Sequence, residues 1–277
     1  MAELAFPYNF HTHTLLCDGN NEPEDMAAAA YEKGFKTLGF SGHLYVAGTS
    51  VSMSDDGIKA YREAISGLKK AYEGRMSILC GAEADFFDDH DVSWCDYVIQ
   101  SVHDFKLVID GEIFYIPTDH KPEIISDMVR RYYGGDWYQV CREFYEMEGQ
   151  IAEKERVDII GHFDYITKFN ETCSFFDEND PRYVDAWMGA LDRLVPLGKP
   201  FEINTAVFYR GMRKTPYLSP AILAELKRRG GLITISGDVH DKTRLYQGFP
   251  EAIEFAHAAG FNSAVIMSEN GPQEVGI

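Results

Sequence analysis

Seven apolar, strand-like runs in this chain each deliver a histidine or an acid at their ends: His11-Thr12-His13, Gly42-His43, Glu83, His103, His162, Glu202 and Asp238-Val239-His240. One histidine after a strand says little. Metal-binding side chains behind nearly every strand constrain the fold, because a β/α barrel gathers its chemistry at the C-terminal rim of its strands. Helical patterns separate the runs, and such alternation implies parallel strands joined by right-handed crossovers. The expected architecture is a closed or nearly closed barrel forming one domain over residues 1–277. A doubly wound open sheet fits less well, since it would place the site at one switch point, whereas here most strands contribute.

The expected strands are 8–13, 37–43, 77–85, 97–104, 159–164, 200–205 and 232–237, with a last apolar run at 264–267. Helices are expected from Pro23 to Gly34 with Asn21 as cap, over 54–73 with Ser54 or Asp55 as cap, and over 123–132, 136–156, 181–197, 220–229 and 250–259. Asp110-Gly111 marks a hairpin within 106–116.

Composition narrows the partners. No apolar run is long enough to span a bilayer, and no basic segment followed by a hydrophobic stretch opens the chain, so the cytoplasm is the expected location. The net charge is −18. The small basic clusters Lys69-Lys70 and Lys227-Arg228-Arg229 fall on expected helices as solvated faces, which argues against long nucleic acid as a partner. An anionic small molecule is compatible, because bound divalent cations reverse the local sign of a pocket. Cys17, Cys80, Cys95, Cys141 and Cys173 are odd in number and scattered, as expected of buried free thiols. Cys17 stands close enough to the first histidines to line the site.

Residues two apart on a strand face the same side, so His11 and His13 can grip one ion together, and Asp238 and His240 repeat the spacing. Imidazole mixed with carboxylate suits zinc, manganese or iron better than calcium or magnesium alone. His90, His120 and His257 lack ligand spacing; His257 reads as structural, and His120 lies in a polar loop that could cover the site. Glu202 and Asn204 fit the barrel floor or a hydrogen bond to a ligand. Two covalent-nucleophile motifs are absent: no cysteine has an arginine six positions later, and Asp89-His90-Asp91-Val92 lies in a polar stretch where an aspartyl nucleophile would end a buried strand. Neither a phosphate loop nor a dinucleotide turn occurs.

The run His11-Thr12-His13-Thr14, with Cys17-Asp18-Gly19, Gly42-His43, Glu83, His103, Gly161-His162 and Gly237-Asp238-Val239-His240, is similar to the PHP (polymerase and histidinol phosphatase) superfamily. Gly161-His162-Phe163-Asp164-Tyr165-Ile166-Thr167-Lys168-Phe169 and Glu202-Ile203-Asn204-Thr205 resemble its histidinol-phosphatase branch. The resemblance covers almost the whole chain. It implies a distorted (β/α)7 TIM-like barrel holding three divalent metal ions. On this chain His11, His13, Glu83 and Asp238 would hold the first ion. Asp18, His43 and His240 would hold the second, and Glu83 would bridge to a third bound by His103 and His162. Three positions depart from the pattern. Some members carry histidine where Asp18 stands, which leaves the metal open among zinc, manganese and iron. Cys17 replaces an expected serine, and Ala206-Val207-Phe208-Tyr209-Arg210 replaces a smaller, glycine-containing turn.

The implied activity is hydrolysis of a small-molecule phosphate monoester, L-histidinol phosphate, to L-histidinol and phosphate in histidine biosynthesis. Clustered cations suit this chemistry, since they generate hydroxide at neutral pH and clamp the phosphoryl oxygens. Arg210 is the expected phosphate clamp, because a guanidinium can engage two oxygens at once; Arg213 and Lys168 are further basic candidates. Asp18, His240 and a metal-bound water all stand as donors to the leaving alcohol. Competing readings are a PHP phosphoesterase acting on a nucleotide or a phosphotyrosine, and a non-catalytic metal-binding barrel, which the full ligand set disfavours. An amidohydrolase also opens with His-x-His, but Glu83, His103 and Asp238-x-His240 fit it less well.

Overall fold

The computed structural model describes residues 3–44, 51–118 and 121–277. Its elements run β1 (Tyr8–Asn9), α1 (Pro23–Lys33), β2 (Thr37–Phe40), α2 (Asp55–Ala71), β3 (Ser77–Cys80), β4 (Ala82–Asp85), β5 (Val98–Ser101), β6 (Asp104–Ile109) and β7 (Glu112–Pro117). Then come α3 (Pro122–Tyr132), α4 (Trp137–Gln150), β8 (Ile159–Ile160), α5 (Asn170–Cys173), α6 (Pro181–Leu194), β9 (Pro200–Asn204), α7 (Ala206–Tyr209), α8 (Pro220–Arg228), β10 (Leu232–Ser236), α9 (Phe249–Ala258), β11 (Ser263–Ile266) and β12 (Gln273–Gly276).

Two parallel sheets, ordered β1-β2-β3 and β10-β9-β8-β5-β4, supply the barrel wall. Isolated parallel bridges at Thr12–Val239 and His43–Glu83 join them. The first junction is held by His13 N–H to Val239 O (2.8 Å) and Val239 N–H to His11 O (3.0 Å), the second by Leu44 N–H to Glu83 O (3.1 Å). With β3 and β4 as one run broken at Gly81, seven parallel runs close into a distorted barrel, as the sequence leads one to expect. The two closures fall on the expected ligands. Several strands are therefore shorter than anticipated: the ladder of β1 stops at Asn9 and that of β2 at Phe40, and the chain beyond them turns from strand pairing to presenting side chains.

Local chemistry explains most boundaries. Ser54 caps α2 by accepting from Gly57 N–H at 3.2 Å, and Asp136 caps α4 by accepting from Tyr138 and Gln139 N–H at 3.0 and 3.1 Å. Asn21 does not cap α1. Its side-chain Oδ1 accepts from Lys242 N–H at 2.9 Å, tying the chain after β10 to the start of α1, and Glu22 occupies the cap position without a side-chain bond. In the β6–β7 hairpin Asp110 (φ 53°) and Gly111 (φ 86°) are both left-handed, as a tight two-residue turn requires. The exposed β12 pairs antiparallel with β11 and was not expected, being polar and without alternation. Cys80, Cys95 and Cys141 are buried free thiols and Cys17 is half-buried, but Cys173 is exposed, against expectation. No described helix is long and apolar enough to cross a membrane.

Candidate metal centre

The rim gathers its side chains around one carboxylate. Glu83, on the buried strand β4, points Oε2 at His11 Nε2 (2.9 Å), His43 Nδ1 (3.2 Å) and His13 Nε2 (3.5 Å). Its Oε1 faces His162 Nε2 (3.0 Å) and His103 Nε2 (3.2 Å) and accepts from Ser101 Oγ (2.9 Å). That serine approaches because position 161 is glycine; a Cβ there would lie 2.2 Å from Ser101 Oγ. Asp238 follows β10 in the left-handed region (φ 47°), a conformation that costs a non-glycine residue energy and is often met at functional sites. The turn brings its Oδ1 to 3.3 Å from His13 Nε2 and 3.8 Å from His11 Nε2.

Asp18 arrives on the loop after His13, which doubles back so tightly that a Cβ at Gly19 would lie 2.5 Å from Thr14 N. It faces His13 Nδ1 at 3.3 Å, His240 Nε2 at 3.0 Å and His43 Nε2 at 3.8 Å. Donor atoms cluster as His13, Asp18, His43 and His240; as His11, His13 and Glu83; and as His43, Glu83 and His103. Proximity thus places His13 and His43 in two groups each, whereas His162 joins through Glu83.

A divalent cation fits this arrangement. His11 Nε2, His13 Nε2 and Asp18 Oδ1 are buried with no hydrogen-bond partner among the described residues. Buried polar atoms left this way are costly unless something else satisfies them. For metal–ligand bonds of about 2.0–2.1 Å, ligand atoms in a tetrahedron lie about 3.3–3.4 Å apart. The ring-nitrogen to carboxylate separations above fall around that value, and imidazole with carboxylate is the donor set of zinc, manganese and iron sites.

Supporting residues appear that sequence reasoning passed over. Asp85 Oδ2 accepts from His103 N–H (2.9 Å) and faces His103 Nδ1 (3.2 Å), which orients that ring. It lies two residues beyond Glu83, so the period of a strand could have revealed it. Tyr165 stacks on His162 with ring centres 4.3 Å apart and gave no comparable signal. Glu202 meets the expectation of a bond to a ligand: its Oε1 is 2.6 Å from His11 Nδ1.

A cavity of about 500 Å³ opens over the cluster, lined on one side by Asp18, His43, Glu83, His103, Asp238 and His240 and on another by Tyr115, Pro117 and Asp104 of the hairpin. Arg210 reaches it, with Nη2 3.2 Å from His240 Nδ1. Arg213 and Lys168 are not among its lining residues. Arg213 is buried, donates to Thr167 Oγ1 and lies 3.6 Å from Asp164 Oδ2; Lys168 Nζ donates to Tyr165 Oη at 3.3 Å, behind the ring that lines the cavity. Cys17 Sγ is 3.6 Å from His13 Nδ1, beside the site. His257 bonds Ile277 O at 2.9 Å and His90 faces Asp88 at 2.7 Å, both outside the centre, and His120 lies outside the described residues.

The PHP domain model matches residues 8–206, most of the chain. The chain belongs to the PHP domain family. Among its relatives, a Schizosaccharomyces pombe protein named probable histidinol-phosphatase is 25% identical over 96% of this chain and 90% of its own. The Bacillus subtilis histidinol-phosphatase is 24% identical over 87% of this chain and 97% of its own. The fold is similar to that of the histidinol phosphate phosphatase of Lactococcus lactis, solved with zinc, L-histidinol and phosphate; the TM-score is 0.70 at 20% identity, covering 96% of this chain and 98% of that one.

Electrostatics in this PHP centre are dominated by crowding. Burial alone would lower the His11, His13 and His103 imidazoles, but the carboxylates of Glu202 and Glu83 at His11, Asp18 at His13, and Glu83 and Asp85 at His103 outweigh it and raise all three well above the ordinary value. Burial prevails at His43, which is lowered to about 4. Burial would raise Glu83 and Asp238, yet the surrounding imidazoles hold both well below the carboxylate range. A divalent cation held here would supply the same positive charge to neutral imidazoles, so its binding would expel protons from His11, His13 and His103, and none from His43 near neutral pH. Apparent manganese or zinc affinity is therefore expected to rise with pH, by about tenfold per unit for each proton displaced. Titration calorimetry in buffers of different ionisation enthalpy counts those protons; a heat independent of buffer contradicts the expectation.

Proposed function

We propose that this chain is a metal-dependent phosphomonoesterase that hydrolyses L-histidinol phosphate to L-histidinol and phosphate in histidine biosynthesis. The observation that carries the reading is the joining of nine donor side chains in one cluster of a PHP chain, six of them lining a cavity that the Arg210 guanidinium also lines. Support comes from relatives named for this activity that align along nearly its full length. The sheet runs on through β10 to Asp238 and His240, beyond the family match, and we take residues 1–277 as one domain. The substrate is a small phosphate monoester, and the cytoplasm is our assignment for such a biosynthetic enzyme.

His11, His13, Glu83 and Asp238 would hold one ion, Asp18, His43 and His240 a second, and His103 and His162 with Glu83 a third. Zinc, manganese and iron all suit these donors. Bound there, the cations would supply Lewis-acid polarisation of the phosphoryl group and a hydroxide nucleophile at neutral pH. The chain itself orients the ester. Arg210, at the cavity edge beside His240, is assigned to bind the phosphate oxygens through its planar fork of donors. Asp18 and His240 face each other at 3.0 Å, and we assign this pair to the proton that the leaving alkoxide takes up, with Asp18 relaying it through the carboxylate oxygen not turned to the ion. Arg213 and Lys168, our other basic candidates, act at one remove: Arg213 braces the segment of Asp164 and Thr167, and Lys168 backs Tyr165.

The test is phosphate release from L-histidinol phosphate, a 5′-nucleotide and a phosphotyrosine peptide by protein loaded with zinc or manganese. A preference for L-histidinol phosphate of about a thousandfold in kcat/KM, on the order of 4 kcal/mol, is expected. Equal turnover of all three would refute the histidine-pathway assignment, and no metal-dependent release at all would refute the enzyme. Arg210→Ala should lower kcat/KM about a hundredfold with KM raised, the size seen when one preorganised donor is lost.

A further inference from the structure

One buried carboxylate touches ligands that belong to different strands and to different ions. Glu202, in the middle of β9, is fully buried. Its Oε1 accepts from His11 Nδ1 at 2.6 Å and from the Ser236 hydroxyl. Its Oε2 accepts from the His162 backbone N–H at 2.9 Å and from Asn204 Nδ2 at 3.0 Å. A carboxylate has about four acceptor positions, and here four donors use them. Asn204 Nδ2 also lies 3.4 Å from Asp238 Oδ2. The contacts therefore reach the residues that follow β1, β8 and β10.

We infer that Glu202 is a positioning residue that couples the first metal subsite to the third. Accepting the Nδ1 proton of His11 fixes that ring's tautomer and turns the Nε2 lone pair toward Glu83 and Asp238. The bond to His162 N–H sets where the chain leaves β8 and hence where that imidazole meets Glu83 Oε1. A neutral side chain of the same shape cannot do both. An amide offers one acceptor oxygen, and its NH2 would meet either the His11 Nδ1 proton or the His162 N–H, donor against donor. Loss of Glu202 should thus loosen two subsites together, although it would touch neither ion. The inference rests on the metal-dependent reading above.

The experiment compares wild type, Glu202→Gln and Thr234→Val. Thr234 pairs with Glu202 across β9 and β10 and is equally buried, so its variant reports what a core change beside Glu202 does without disturbing a ligand bond. Metal retained after dialysis is measured by elemental analysis, affinity by chelator competition, and ligand geometry by the visible spectrum of cobalt-substituted protein. Glu202→Gln is expected to lose 10–100-fold in affinity at two of the sites, the usual effect of removing an outer partner of a metal ligand, with an altered cobalt spectrum. Thr234→Val should retain wild-type affinity and spectrum. If Glu202→Gln does not fold, Glu202→Asp, which keeps the charge but withdraws the oxygens by one methylene, takes its place with the same expectation. Wild-type affinity in the folded Glu202 variant, loss at one site alone, or equal losses in Thr234→Val would each overturn the inference. Failure of the wild type itself to retain metal would instead strike the metal-dependent reading.

Discussion

Replacing Glu83 by glutamine should abolish phosphate release and strip the protein of bound metal. No other side chain among the described residues faces five imidazoles at once: His11, His13 and His43 lie within 3.5 Å of Oε2, and His103 and His162 within 3.2 Å of Oε1. The amide loses a full negative charge where several cations are to be held together. It also forces an NH2 group toward one set of ring nitrogens. In the wild type, burial would raise the Glu83 carboxyl, but the imidazoles hold it well below the usual range. Activity should fall by on the order of 10⁴-fold or more, about 5.5 kcal/mol in transition-state stabilisation. Metal analysis separates the cause from misfolding: a folded, metal-poor variant fits, and a metal-replete, active variant contradicts the central place of Glu83. Arg210→Ala, by contrast, should keep its full complement of metal.

The donors were legible because they obey simple strand arithmetic. His-x-His puts two side chains on one face, a left-handed turn at Asp238 aims the Asp-x-His pair, and a barrel brings successive strand ends to one rim. What escaped was less periodic. The strand signal at 8–13 could not say that pairing ends at Asn9 and resumes as a single bridge at Thr12, because apolar character continues while the backbone stops forming a ladder. Asn21 has the right chemistry for a cap, but a distant partner, Lys242 N–H, claims it. Arg213 looked like Arg210 in sequence. A turn of the chain sends its guanidinium inward to Thr167 and Asp164, which local sequence does not encode. Asp85 was readable from its spacing to Glu83, whereas Tyr165 owes its place against His162 to a short helical turn.

The same barrel that presents the donors depends on two missing side chains beneath them. Tyr97 fills the interior below the metal centre, 1% exposed, with its hydroxyl 2.6 Å from Phe10 O and 2.9 Å from Phe40 O. A Cβ at Gly39 would lie 2.4 Å from the Tyr97 hydroxyl, and one at Gly81 would lie 2.4 Å from Cζ and 2.5 Å from Cε1 of the ring. Gly81→Ala therefore drives a methyl into a ring anchored to two strands. Overpacking of this kind costs about 1–3 kcal/mol and sometimes more, and the lack of free space around Tyr97 puts the expected loss at or above about 3 kcal/mol by denaturant unfolding. Phe10 directly precedes His11, so shifting the carbonyl that Tyr97 holds should also weaken metal binding. Tyr97→Phe, which removes only the hydroxyl, should cost about 1 kcal/mol. The decisive comparison is Gly81→Ala in a Tyr97→Leu background. With the ring atoms gone the methyl has room, so the alanine penalty should shrink to well under 1 kcal/mol, a non-additivity expected only of residues in direct contact. An undiminished penalty would place the role of Gly81 in its own backbone, and the account of the barrel interior given by Tyr97 would fail.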